Sequence, residues 1–187
     1  MYRVIVYQQM SRTEFLAIGD IVYQRAAYVT FTPNQKQALW IEKLEKALKL
    51  EWSEQESLHI QSMLDLVNAN LFAFSKDRDQ EAFDKVEIEL YKWKEYSQEV
   101  LGWDIYLLYA LVATPQMMNA DKTIKLELGT TPTFKRDGEG CTCSFGSDWC
   151  TFPNGDVAKC LPDGCAGTSW GCGNFWWFAC DGTCHSI

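Results

Sequence analysis

No cysteine occurs in the first 140 residues of this 187-residue chain, and then eight fall within 44 positions: Cys141, Cys143, Cys150, Cys160, Cys165, Cys172, Cys180 and Cys184. Such density reads as a covalent scaffold, because so short a segment buries too little apolar surface to fold without staples. Seven of the twelve glycines lie in residues 141–187, which suits short strands joined by tight turns. The chain therefore divides near residue 130: a helical domain over 1–130, a linker over 131–140 and a disulfide-rich module over 141–187. The expected fold class is α+β in two parts, a mainly α-helical N-terminal domain followed by a small turn/β-hairpin C-terminal module.

Residues 11–113 carry helical periodicity. In "TFTPNQKQALWIEKLEKALKL", Thr32 is placed to cap a helix with Pro33 at its first position, and Trp40, Ile41, Leu44, Ala47 and Leu48 share one face. Ser53 and Glu56 make a capping-box pattern ahead of Ile60, Met63, Leu64, Val67 and Leu71. From Asp79 to about Leu101, Phe83, Val86, Leu90 and Trp93 recur three and four apart among acids and lysines, which predicts a helix with a solvated back. "GWDIYLLYALVA" is apolar nearly all round and predicts the buried helix that the others cover. About four to five helices are expected, plus a short strand at 123–129, where Ile124, Leu126 and Leu128 alternate with Lys125 and Glu127. Within the cysteine-rich segment, Asn154-Gly155 is a strong hairpin signal.

The net charge is −8; residues 141–187 hold Asp148, Asp156, Asp163 and Asp181 against Lys159, a net −3, which leaves −5 for the rest. With no basic stripe to displace counterions, nucleic acid is excluded as a partner. No window reaches the roughly 18 apolar residues of a membrane span. Dense cysteines belong to an oxidising compartment, yet "MYRVIVYQQMSRTEF" has neither the apolar core nor the cleavage site of a signal peptide. The expected location is secreted or cell envelope, with the export leader not present in this sequence.

Metal ligation is the competing use of sulfur. Structural zinc sites favour cysteine pairs with about two to four residues between them. Here the intervening lengths are 1, 6, 9, 4, 6, 7 and 3, so only Cys160/Cys165 and Cys180/Cys184 fit. Even count and glycine content favour disulfides, and their connectivity stays open. His59 lies beside Leu58 and Ile60 in a helical pattern, where a packed histidine is expected, and His185 follows Cys184 near the end of the chain. Glu87 and Glu89 point to different helix faces. With no phosphate loop, nucleophile elbow or HExxH pattern, no enzyme activity is expected, and no catalytic residue, metal or cofactor is assigned.

Aromatic residues crowd the same segment, four of them consecutively in "NFWWFAC". Strand alternation would put Phe175 and Trp177 on one face and Trp176 and Phe178 on the other, more than a thin module hides. Two readings follow. Either the helical domain covers one set, or Trp149, Trp170, Phe175, Trp176, Trp177 and Phe178 form an exposed patch for a protein or bacterial-surface receptor, with contact at a membrane interface where Trp is enriched.

The order Cys141-x-Cys143, Ser147-Asp148-aromatic-Cys150 and Gly171-Cys172-Gly173, followed by an aromatic cluster and a last cysteine pair, resembles the fulvocin C-related bacteriocin family. The resemblance covers almost all of residues 141–184, and Pro33 to Leu48 is similar to the helical half of the larger members. Cys180 and Cys184 stand further apart than their counterparts in fulvocin C. The resemblance implies an exported bacterial protein with four disulfides in its tail and bacteriocin-like antibacterial action. The tail would act attached or after cleavage at the linker, where Lys135-Arg136 lies. The alternatives are a non-toxic surface-binding or adhesion module, or a disulfide-stapled structural cap on the helical domain.

Overall fold

The structure is a computed structural model and describes residues 10–19, 21–69, 71–73, 79–124, 140–147, 149–150, 158–162 and 164–186. The expected hairpin at Asn154-Gly155, residues 131–139 of the expected linker and residues 125–129 of the expected strand lie outside the described residues. Ile124, the described apolar position of that strand, forms an isolated antiparallel bridge with Met118.

Among the described residues, helices precede strands. The helices are α1 (Arg12–Leu16), α2 (Ile21–Thr30), α3 (Pro33–Ala47), α4 (Glu54–Asn68), α5 (Gln80–Glu99) and α6 (Ile105–Leu108). A 3-10 turn at Leu71–Ala73 follows α4, and a π-helical turn at Tyr109–Ala113 extends α6. The strands are β1 (Ala158–Leu161), β2 (Thr168–Cys172), β3 (Phe178–Cys180) and β4 (Thr183–Ser186). This is the two-part α+β arrangement expected from the sequence.

Two compact units emerge, one comprising Met1–Phe31 with Leu126–Ile187 and the other Thr32–Lys125. They cut the chain differently from the expected division at residue 130, since α1 and α2 group with the cysteine-rich segment. The physical reason is supply of apolar side chains: Phe15, Tyr28 and Phe31 are buried and furnish what the stapled segment lacks.

Unit 2 is helical, and its local signals act as expected. The Thr32 hydroxyl accepts from the Gln35 amide at 3.3 Å while the Gln35 side chain accepts from the Thr32 amide at 2.9 Å. Ser53 and Glu56 make the same reciprocal pair. Each satisfies amides that the first helical turn leaves without carbonyl partners. Ile60, Met63, Leu64, Val67 and Leu71 are all buried, as are Phe83, Val86, Leu90 and Trp93. Burial of each such side chain contributes roughly 1.5–3 kcal/mol before entropy is counted. The 102–113 segment is buried over Ala110–Ala113, but as a short α-helix passing into a π turn.

The buried face of α3 is wider than its apolar residues predict, for it includes Lys36 and Lys43. Lys43 Nζ donates to the carbonyls of Thr114 and Gln116, 2.5 Å from each, and so ties down the chain that leaves the π turn. Lys36 is also buried, and loss of hydration lowers its ammonium pKa to about 8 from 10.5. The two lysines therefore have opposite expected effects. Lys43→Met removes a donor from two carbonyls and should cost about 1–3 kcal/mol in urea unfolding. Lys36→Met should raise the unfolding midpoint at pH 7. Between pH 8 and 10.5 the unfolded chain holds more protons at Lys36 than the folded one, so wild-type stability rises with pH and the variant's advantage shrinks.

Candidate functional site

The cysteine-rich segment is held by two antiparallel pairs. β1 pairs with β4 in the register Lys159↔His185, Cys160↔Cys184 and Leu161↔Thr183, and β2 pairs with β3 through Thr168↔Cys180 and Cys172↔Phe178. Isolated bridges Gly140↔Ala166 and Cys143↔Gly182 dock the segment around Cys141 and Cys143 onto these strands. All eight cysteines are bonded, as Cys141–Cys165, Cys143–Cys160, Cys150–Cys184 and Cys172–Cys180. The bridges fall into two groups. Cys141, Cys172 and Cys180 form a buried cluster with Cys165 packed on it. Separately, the sulfurs of Cys143, Cys150 and Cys160 lie within 4.8 Å of one another. Such bridges suit an oxidising environment, and among the described residues no helix is long and apolar enough to cross a membrane.

The aromatic residues predicted as an exposed patch do not form one. Trp149, Phe175, Trp176, Trp177 and Phe178 are buried, and Trp170, on β2, is half-buried. Alternation fails because the run is not a strand throughout: Asn174–Trp176 is a 3-10 turn, and the strand begins at Phe178. Phe175 (φ 55°) and Trp176 (φ 53°) occupy the left-handed region, which costs roughly 1–2 kcal/mol per non-glycine residue. Tertiary contacts hold them there. The Trp176 ring meets Tyr28 edge-on at 5.3 Å and Phe15 at 6.2 Å, and the buried Tyr28 hydroxyl donates to the Phe175 carbonyl at 2.8 Å. Gly173 is required beside this turn, since a Cβ there would lie 2.5 Å from the Phe178 ring.

Arg25, on α2, was not singled out in the sequence, yet it ties the unit together. Its guanidinium donates to three carbonyls: Gly171 at 3.0 Å, Cys141 at 3.3 Å and Thr142 at 2.9 Å. It also stands 5.9 Å from the Trp176 ring centroid. Its side chain lies on Gly171, where a Cβ would come within 2.9 Å of it.

A second feature lies wholly in unit 2. An open groove of about 370 Å³ runs between α4 and α5, lined by His59, Met63, Leu66, Glu89, Trp93 and Tyr96 among others. His59 stacks on Trp93 with centroids 4.7 Å apart and planes 3° from parallel. Its Nε2 donates to the Trp93 carbonyl at 3.1 Å and lies 2.8 Å from the Ser97 hydroxyl. This histidine and serine are not a nucleophile and its base. Ser97 is fully buried, and its hydroxyl donates to the Trp93 carbonyl at 2.7 Å. Half-burial lowers the His59 pKa, partly offset by the hydrogen bond to Trp93. His185 contacts the Thr183 hydroxyl at 2.8 Å.

Comparison with protein-family models, with curated proteins and with solved structures finds no match for this chain.

Two outcomes follow from these geometries. Arg25→Lys keeps the charge but loses the planar fork that spans three carbonyls, and is expected to cost about 1.5–3 kcal/mol in denaturant unfolding. Because the folded pKa of His59 is depressed, its contribution is complete above the unfolded value near 6.5 and declines as pH falls through the folded one. Stability measured between pH 7 and pH 5 should therefore fall more steeply for the wild type than for His59→Phe.

Proposed function

We propose that this is an exported, non-enzymatic bacterial protein whose cysteine-rich segment is a stapled structural module built into one unit with α1 and α2. The observation that supports this reading is the seat of Trp176 against Phe15 and Tyr28, which uses the aromatic run as core. Release of the segment from the N-terminal helices would expose that core and leave the carbonyls of Gly171, Cys141 and Thr142 without Arg25. Four bridges then serve endurance outside the cell, where proteases and dilution act on anything that opens.

A second reading, bacteriocin-like action on competing bacteria, rests on a cysteine order that resembles that of the fulvocin C-related family up to the last pair, Cys180 and Cys184. On this fold the acting species would be the intact unit, with a protein or surface receptor as its target.

Intact mass under non-reducing conditions, measured on protein recovered from medium and cell envelope, tests the first reading. A full-length species lighter by eight hydrogens is expected, and a free cysteine-rich fragment as the main species would overturn it. The double variant Trp176→Ala/Trp177→Ala should yield scrambled or free thiols, since large-to-small changes at buried tryptophans cost about 3–5 kcal/mol each. Growth inhibition by the intact protein, absent in a folded control lacking the Cys150–Cys184 bridge, would carry the second reading.

A further inference from the structure

The four bridges differ in what their sulfurs face. Those of Cys141, Cys165, Cys172 and Cys180 contribute to an apolar cluster. Cys143 and Cys160, bonded to each other, instead have the Cys150 sulfur of a second bridge within 4.8 Å of both, while Cys184, the bonded partner of Cys150, stands outside that close group. A tetrahedral zinc thiolate with Zn–S near 2.3 Å sets its sulfurs about 3.8 Å apart. To reach that spacing, each bonded pair parts from about 2 Å once its bridge is reduced, while the sulfurs of the two bridges draw together.

Backbone pairing, as well as the bridges, places three of these residues. Cys160 and Cys184 are directly opposed in the β1·β4 register, so their side chains leave the same face of the pair. Cys143 is fixed beside them by backbone hydrogen bonds: its amide donates to the Gly182 carbonyl at 3.1 Å, and its carbonyl accepts from the Asp181 amide at 3.0 Å. His185 is set apart from the group, because side chains alternate along β4 and its ring leaves the other face with Thr183.

We propose that Cys143, Cys150, Cys160 and Cys184 form a four-thiolate site for a thiophilic divalent cation, zinc foremost, in the reduced chain. The same four sulfurs thus have two closed states, two disulfides in an oxidising compartment and one metal centre in a reducing one. Two equivalents of a dithiol connect the states. Each bridge takes up two electrons and two protons, each dithiol closes to a cyclic disulfide, and zinc then displaces the four thiol protons. Cys150–Cys184 is the entry point, because both its cysteines are partly exposed whereas Cys143 and Cys160 are buried. The site would hold the segment in register before export; afterwards each thiolate pair would pass two electrons to a disulfide oxidant, which takes up two protons and leaves as a dithiol, and the metal is released.

The test uses the full chain. Protein reduced with a phosphine is desalted without oxygen, divided into portions with and without one equivalent of Zn2+, and alkylated with iodoacetamide, and each cysteine is read by peptide mass. The expected result is loss of alkylation at Cys143, Cys150, Cys160 and Cys184 with zinc, and full reaction at Cys141, Cys165, Cys172 and Cys180. Substituting Co2+ should give the visible absorption of a tetrahedral thiolate centre at one metal per chain. That readout holds whether the reduced chain stays folded or is ordered by the metal. Protection at the other four cysteines, even partial protection across all eight, or no protection would each overturn the proposal.

Discussion

The guanidinium of Arg25 answers a problem that the cysteine-rich segment creates for itself. Short strands and turns leave backbone carbonyls without ladder partners, and buried carbonyls without donors are costly. Arg25 takes three of them at once, from residues 116 to 146 positions away in the chain. Its fork also fixes where α2 lies along the segment, which brings Tyr28 to the Phe175 carbonyl and to the Trp176 ring. The left-handed backbone at Phe175 and Trp176 becomes tolerable only in that setting. Strain there is over-determined by burial, a hydrogen bond and ring contacts together.

Legibility in the sequence followed the range of the forces involved. Local signals read well. Thr32 and Ser53 cap as their spacing foretells, and the apolar faces of α4 and α5 are buried residue for residue. Ser11 and Glu14 form a third capping box in the same S-x-x-E spelling, and that pattern was readable. Disulfide bonding was legible from cysteine density, but pairing was not, because it depends on which strands adjoin. The aromatic run misled for the same reason: period-two alternation assumes an extended chain, and a 3-10 turn with two left-handed residues replaces it. Nothing near Arg25 marks it out in sequence, since a lone arginine on a helix usually faces water and its three partners lie beyond residue 140. The division at residue 130 missed the assignment of α1 and α2 because composition registers cysteine content and not which apolar residues share a core.

The stapled segment shows how covalent and non-covalent order divide the work in a unit of this size. Cys141, Cys165, Cys172 and Cys180 act partly as small hydrophobes, packing against one another as well as cross-linking the segment. Cys150–Cys184 closes a 34-residue separation and restricts the unfolded chain most, while Cys172–Cys180 closes only 8 and mainly secures the β2·β3 pair. Arginine fork, aromatic core and bridges thus act on different residues of one unit.

Unit 1 is built from the two extremes of the chain, with all of unit 2 threaded between them. In order of synthesis, α1 and α2 come before unit 2 and all eight cysteines after it. Unit 2 has its whole sequence available in the interval and can fold as a contiguous block. Phe15 and Tyr28 can meet each other and Phe31 early, but their contacts with Trp176, and those of Arg25 with Gly171, Cys141 and Thr142, come only once the cysteine-rich segment is made. Unit 1, whose sequence starts first, is therefore completed only after unit 2 has been made.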